Sequence, residues 1–395
     1  MWPHWLAFNP TIARDALQYR ATRTAEARQN AASHGFDGLM FPWESAYTGS
    51  EVDPAPGTTT EEHLQGDIAF AFHQYWTATH DLQWLVSTGF AVLDGIADFW
   101  VSKAVANTDG SYSIPHIMGP DEYHGDVRDS VFCNVVARLS IAFAEQLAPL
   151  VGRAPNATRA AIGAALRIEF DATLNYHPEF AGYTRGTKVK QADTILLGFP
   201  LNFAMDEVVK ANDLVYYAGV TDPRGPAMTW SMHAIGFLDL GKDDEAASFF
   251  HRGHADNTIG PFLFWREEAG GGGATNFITG AGGFMQSCWA GYGGMRQVNG
   301  TLQLTRPRPL PGTTSLAIKQ FNFLGSALDL SIGPDEWTVC KSAAAATGDH
   351  GPAPQLELFD VATGMVQPLT TDPVHFRSGV DVVTVRPVSS LSEIA

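Results

Sequence analysis

The sequence predicts a mainly helical protein that ends in a small antiparallel β domain. Three observations carry this. Apolar residues recur at helical spacing from about residue 10 to about residue 290. The period changes to two after about residue 300. The helical stretches are separated by long segments rich in Gly, Pro and Asp.

Within the helical part, Leu64, Ile68, Phe72 and Tyr75 form one stripe over 61–79. Thr58 and Thr59 each stand three residues before an acid, Glu61 and Glu62, the pattern of reciprocal helix capping. Leu82, Leu85, Val92, Ile96 and Trp100 mark the next helix, and Phe132, Val136, Leu139, Phe143 and Leu147 another. Further helices are expected over 10–33, 156–171, 202–218, 226–239, 243–253 and 276–291. In the strand part, Leu316 and Ile318, Phe321 and Phe323, and Leu328, Leu330 and Ile332 alternate with polar neighbours, as do Leu356 and Leu358, then Val383 and Val385. Gly333-Pro334-Asp335 reads as a turn. Helices followed by strands predict segregated layers, cut here into 1–298 and 299–395.

Composition narrows the function. With 45% hydrophobic and 17% charged residues over 395 positions, the chain is a packed globular protein. A net charge of −17 repels phosphate backbones and anionic lipid, so neither nucleic acid nor membrane is an expected partner. No run of about 18 apolar residues is present, and Met1-Trp2-Pro3-His4-Trp5 has no basic and apolar leader pattern, so the expected compartment is cytoplasmic. Cys133, Cys288 and Cys340 are too few and too scattered for a disulfide framework or a zinc site. Asn156 and Asn299 open Asn-x-Thr sequons, which occur by chance too often to argue for secretion.

Chemistry belongs in the long loops, 49–58, 107–125, 176–190, 219–226 and 265–275. Gly119-Pro120-Asp121-Glu122-Tyr123-His124 packs two carboxylates, a phenol and an imidazole into four positions. A carboxyl beside another carboxylate resists ionisation, as a general acid requires. The competing reading makes Asp121 and Glu122 caps of a helix starting near Asp126. Trp265-Arg266-Glu267-Glu268 sets a ring that can stack on a sugar beside an acid, ahead of a Gly-rich run. The alternative there is a loop of solvated charges. The run is not a dinucleotide or phosphate-loop fingerprint. Trp43-Glu44-Ser45 is a second Trp–acid pair, and Lys190-Gln191-Ala192-Asp193 offers two long hydrogen-bonding side chains. His251 and His254 lack the pattern of a metal helix, no Gly-x-Ser-x-Gly elbow occurs, and His63 and His73 read as buried, hydrogen-bonded residues.

Together, in this order, Trp-Glu-Ser at 43–45, Gly-Pro-Asp-Glu-Tyr-His at 119–124, Lys-Gln-Ala-Asp at 190–193 and Trp-Arg-Glu at 265–267 resemble glycoside hydrolase family 65. The resemblance runs from residue 1 to about residue 300 and is nearest to the family's glucosidases and acid trehalase-like proteins. It implies an (α/α)6 barrel followed by the small antiparallel β domain. It also implies an inverting hydrolysis of a terminal α-linked glucose, on a kojibiose-type glucoside, glucosylgalactosyl-hydroxylysine or trehalose. Glu122 matches the general acid and Glu267 the general base. Trp43, Glu44, Lys190, Gln191 and Trp265 match sugar-binding positions. Neither metal nor organic cofactor is implied. The partner is a small carbohydrate or glycosylated peptide, and a homodimer is the default assembly.

Two alternatives remain. A phosphorylase of the same family would replace the base by a phosphate site. The loop from Asp222 to Trp230 lacks the Ser pair such a site uses, and Glu267 is present. A non-catalytic sugar-binding relic would follow from the family's missing N-terminal β-sandwich, linker and Trp-Asp-Thr-Glu-like segment. Those elements precede the stretch matching Met1-Trp2-Pro3, so the resemblance implies a barrel incomplete at its N-terminus and weak activity for this chain alone.

Overall fold

The computed structural model describes residues 1–53, 60–298, 300–343, 353–379 and 382–388. Helices come first. They are α1 (Trp2–Phe8), α2 (Pro10–Ala21), α3 (Thr24–Ser33), α4 (His63–Thr79), α5 (Leu82–Trp84), α6 (Phe90–Lys103), α7 (Val131–Leu147), α8 (Ala157–Ala164), α9 (Glu207–Val220), α10 (Met228–Asp239), α11 (Asp243–Ala255) and α12 (Ile278–Gln286). Two short ribbons interrupt them, β1 (Val105–Ala106) with β2 (Tyr112–Ser113) and β3 (Thr258–Ile259) with β4 (Phe264–Trp265). Strands β5 (Met295–Val298), β6 (Thr301–Leu304), β7 (Leu316–Phe323), β8 (Ser326–Ile332), β9 (Glu336–Lys341), β10 (Leu356–Asp360), β11 (Val366–Pro368), β12 (Val374–Arg377) and β13 (Val383–Pro387) follow. The order of helices, then antiparallel strands, is the one the periodicity predicts.

Where the helices differ from expectation, local competition explains it. The stretch 10–33 is two helices, because Thr22 Oγ1 donates to the Tyr19 carbonyl at 2.8 Å and draws the chain out of the helix. The stretch 156–171 stops at Ala164, because Arg167 N donates to Tyr112 O at 2.8 Å and the chain pairs beside β2 instead. Asn156, the first sequon, is spent as the N-cap of α8, its Oδ1 accepting Arg159 N at 3.1 Å. Thr58, Thr59 and Asn299 lie outside the described residues.

The chain divides into two compact units. One holds Met1–Arg14, Gln74–Asp81 and Pro223–Ala395; the other holds Asp15–His73 and Leu82–Asp222. In the second unit, α6 packs on α7 and α7 on α8 around Phe72, Leu85, Leu93, Phe99 and Trp100, all buried. Arg159, buried on α8, ties Asp94, Asp98 and Glu145 together and so fixes α6, α7 and α8. By length and composition alone, Leu82–Lys103 and Val131–Val151 could each cross a membrane. Half of the first window and 78% of the second are buried in the protein, so core packing accounts for their hydropathy.

In the first unit the strands form two antiparallel sheets, ordered β11-β10-β13-β6-β5 and β12-β9-β8-β7. The alternating residues face inward as expected: Phe321, Phe323, Leu328, Leu330, Leu356, Leu358, Val383 and Val385 are buried, with Trp337 stacked on Phe376 at 4.4 Å. One residue of β7 is extra. The register against β8 shifts between Ile318 and Phe321, and Gln320, at φ 58°, sits in the bulge with its amide held by Asp329 Oδ1 at 2.9 Å. Helix α1 packs on β7 and α12 within this unit, and Ala7 joins the β core.

The segment that leads to Trp43 depends on one glycine. Gly38 has φ +77°, and a Cβ there would lie 2.2 Å from the Gly95 carbonyl oxygen and 2.5 Å from Phe99 N, both backbone atoms of α6. The close approach lets Leu39 N bond Gly95 O at 2.9 Å and seats Leu39 and Phe41 in the core. Gly38→Ala is therefore expected to cost about 2 kcal/mol or more. Urea denaturation measures it, and an unmoved midpoint contradicts the packing argument.

Candidate functional site

The acid-bearing loop 119–124 is closed at its base by a mutual pair of bonds, Ile117 N to Val127 O at 3.1 Å and Val127 N to Ile117 O at 2.8 Å. Helix α7 starts only at Val131, with Ser130 Oγ accepting Cys133 N at 3.3 Å. The reading of Asp121 and Glu122 as caps of a helix near Asp126 is thus wrong. Asp126 and Asp129 sit at φ 55° and 54°, a left-handed geometry that a helix cannot continue through. The two acids are left for other work.

Asp121 is buried, and it organises the loop. Its Oδ1 accepts Tyr123 N at 3.2 Å and Lys190 N at 2.6 Å; its Oδ2 accepts His124 Nδ1 at 2.6 Å. Its own amide donates to Asp193 Oδ2 at 3.0 Å. Gly119 is required for this approach, since a Cβ there would stand 2.5 Å from Asp193 Oδ2. Pro120 O accepts the Gln191 side-chain amide. The result places Lys190 Nζ 2.6 Å from Glu122 Oε2, joining residues 68 apart in the chain. Tyr123 OH donates to Asp222 Oδ2 at 3.0 Å and secures the outer side of the loop.

Trp43 reaches the same neighbourhood through His63. The indole meets the His63 ring edge-on at 5.4 Å. His63 is buried, with Nδ1 2.7 Å from Asp67 Oδ2 and Nε2 3.1 Å from Glu61 Oε2. Burial opposes its charge, but Asp67 and Glu61 outweigh burial and hold the imidazole protonated, its pKa pushed up to about 10. Glu61 in turn is pushed up by burial, with Glu122 and Lys190 both close enough to act on it. Glu62 pairs with buried Lys103 at 2.6 Å. Glu44 is exposed, and its amide donates to Glu51 Oε1 at 3.1 Å. His73 stacks flat on Phe143 at 3.7 Å. Asp121, His124 and Glu179 place possible ligand atoms within 4.8 Å of one another.

Trp265 and Glu267 belong to the other unit. Trp265 ends β4 and packs against Phe284 at 5.9 Å. Glu267 is held at its backbone by Ala227 N at 2.9 Å and Asn257 Nδ2 at 2.8 Å, and by its own amide to Ala274 O at 3.0 Å. Its Oε2 accepts Ala274 N at 2.9 Å. The glycines make the wrap possible: Gly273 has φ +67°, and a Cβ there would lie 2.6 Å from Glu267 Oε2. The Gly run is a fitted cradle for one carboxylate, with the Arg266 guanidinium closing it on Gly271 O at 2.7 Å.

Of the residues expected from sequence, Glu122, Lys190 and Gln191 therefore converge, and Trp43 joins them through His63 and Glu61. Sequence reasoning missed Asp67 and Glu179, which carry no local motif, and gave Glu61 only the role of a capping acid. The signal that could have found Asp67 is its i, i+4 spacing from His63 on α4.

Residues 1–161 match the glycosyl hydrolase family 65 central catalytic domain. Over those residues the chain belongs to glycoside hydrolase family 65. A protein-glucosylgalactosylhydroxylysine glucosidase of Danio rerio is 42% identical over 339 residues, 85% of this chain and 52% of that protein. A kojibiose hydrolase of Mucilaginibacter mallensis is 34% identical over 300-odd residues, 75% of this chain and 43% of that protein. The solved structure named “Putative kojibiose phosphorylase from human microbiome” superposes with a TM-score of 0.75 at 16% identity, over 96% of this chain and 59% of that one, which shows a shared fold. The chain spans about half the length of the curated relatives it matches.

His63 supplies a pH test. Its ordinary pKa is about 6.5, so a raised folded value contributes stability in full below about pH 6.5, fading as pH rises through about 10. The melting-temperature advantage of the wild type over His63→Gln should be largest near pH 6 and shrink by about pH 10. Circular dichroism melts check it, and a gap constant with pH would refute the charged imidazole.

Proposed function

We propose that the chain is an inverting glycosidase that removes terminal α-linked glucose from a small glucoside or glycosylated peptide, in an (α/α)6 barrel. The observation that carries the reading is the Glu122–Lys190 pair at 2.6 Å, built by the buried Asp121 within a family 65 catalytic sequence. In the mechanism, a glucosyl ring draws the Lys190 ammonium onto its hydroxyls. Glu122, released from its cation, enters the reaction as the neutral carboxylic acid. It gives its proton to the leaving oxygen. Glu267, its carboxylate oriented by the Ala274 amide, takes a proton from the attacking water. An inverting pair of this kind needs its carboxyls about 6.5–9.5 Å apart, wide enough for that water. Trp43, Glu44, Gln191 and Trp265 hold the sugar. The activities for which the relatives are named support glucosylgalactosyl-hydroxylysine and kojibiose as the first substrates to try.

Proton transfer by a placed side chain is worth about 100- to 10,000-fold. Glu122→Gln and Glu267→Gln should each lower kcat/KM on kojibiose by at least about 100-fold. NMR should show β-glucose as the first product, with no requirement for phosphate. Release of α-glucose contradicts inversion, and strict dependence on phosphate favours the phosphorylase alternative. Sugar binding without turnover in the wild type favours the relic.

A further inference from the structure

Beneath the acid-bearing loop lies a knot of three carboxyls that the mechanism above does not use. Asp121, Glu179 and Asp193 are 1%, 2% and 3% exposed. They arrive from three separate segments of the second unit. Asp193 receives the Asp121 amide on Oδ2, while its Oδ1 is buried without a donor among the described residues. Asp121 has the donors an anion needs: the amides of Tyr123 and Lys190 and the His124 imidazole. Glu179 does not. Its carboxyl meets that of Asp121 at hydrogen-bond range, and its Oε2 is buried with no donor among the described residues. Its other neighbours in the knot are His124, Asp193 and the phenols Tyr183 and Tyr217.

Two carboxylates in contact and sealed from water cannot both be ionised. One of them must hold a proton, and the donors decide which. Asp121 already accepts three hydrogen bonds, all from N–H groups, so it is the anion. The proton falls to Glu179, and burial, then Asp193 and Asp121, push its pKa strongly upward. A neutral Glu179 turns a repulsive contact into an O–H···O⁻ bond, a strong class of hydrogen bond. The residue is itself anchored, since its carbonyl accepts Val131 N at 2.8 Å in the first turn of α7.

We propose that Glu179 is a positioning residue for the general acid: it donates its carboxyl proton to Asp121, which holds the amide after Glu122 and the amide of Lys190. This rests on the reading of Glu122 as that acid. The chain of action is Glu179 to Asp121, then Asp121 to the two backbone sites that set the Glu122–Lys190 pair. Neither Glu179 nor Asp121 touches the sugar, and Asp121 holds Lys190 by its backbone amide and not by the ammonium that meets the ring, so the loss should fall chiefly on proton donation.

The test uses the full 395-residue chain and two substrates. Kojibiose needs a proton on its leaving oxygen; α-glucosyl fluoride does not. Misplacing a reacting group by about 1 Å can lower a rate by about 100-fold. Glu179→Ala should lower kcat on kojibiose by at least about tenfold with KM within about threefold, and leave the fluoride within about threefold. Glu179→Gln, which can donate the same bond, should recover the kojibiose rate to within about threefold of wild type. Equal loss on both substrates, or no loss in the alanine variant, overturns the proposal. Glu122→Gln is run alongside. If it fails to separate the two substrates, the glucosidase reading is what has failed. A second measurement then decides Glu179 without turnover or the alanine variant. At neutral pH, the infrared difference between wild type and Glu179→Gln should contain the carbonyl stretch of a neutral carboxylic acid. Its absence overturns the proposal, as does a stoichiometric metal ion bound to Asp121, His124 and Glu179 in the purified protein.

Discussion

One buried carboxylate, Asp121, holds the candidate site together. Short-range forces alone would not keep a loop such as 119–124 in one shape, because its residues are polar and two of them carry like charge. Asp121 supplies what the loop lacks. It draws in the amide of Lys190 across 69 positions of sequence and fixes its own downstream turn through Tyr123 N. Hydrogen bonds to a charged acceptor are among the stronger ones, at about 1.5–3 kcal/mol each. Burial makes them hard to exchange for water. The outward-facing pair of Glu122 and Lys190 is exposed enough to meet a ligand, yet it inherits its geometry from this sealed anchor.

The same economy of means appears at glycines. Gly119 and Gly273 each let an acid approach backbone that a side chain would block, Asp193 in one case and Glu267 in the other. The acids are thereby oriented by the main chain, whose conformational freedom is already removed by folding, and not by long flexible partners. Such sites are rigid where the charge sits and adaptable only at the tips of lysine and the indoles.

Much of this was legible in the sequence. The helical and strand periods located the two kinds of structure, because burial selects one face of each. The motifs around Glu122, Lys190 and Gln191 named side chains that do converge, and their order pointed to family 65 before any geometry. Glu179 was not legible. It lies in Pro178-Glu179-Phe180, with no period or motif to mark it, and its environment is assembled from residues 4 to 58 positions away. Glu61 and Glu62 fit a capping pattern by spacing, which is all a sequence offers; their burial beside His63 and Lys103 is a tertiary fact. The helix expected near Asp126 failed for a related reason, since left-handed aspartates look the same in a sequence as helical ones.

The extra residue in β7 has a consequence for how this sheet can change. In a regular strand, losing one position turns every later side chain to the opposite face. At Gln320 the chain already has two residues facing one, so removing that residue would leave Phe321 and Phe323 pointing inward as before. Descendants of this sequence can shorten there without turning the sheet inside out, and elsewhere along the strand they cannot.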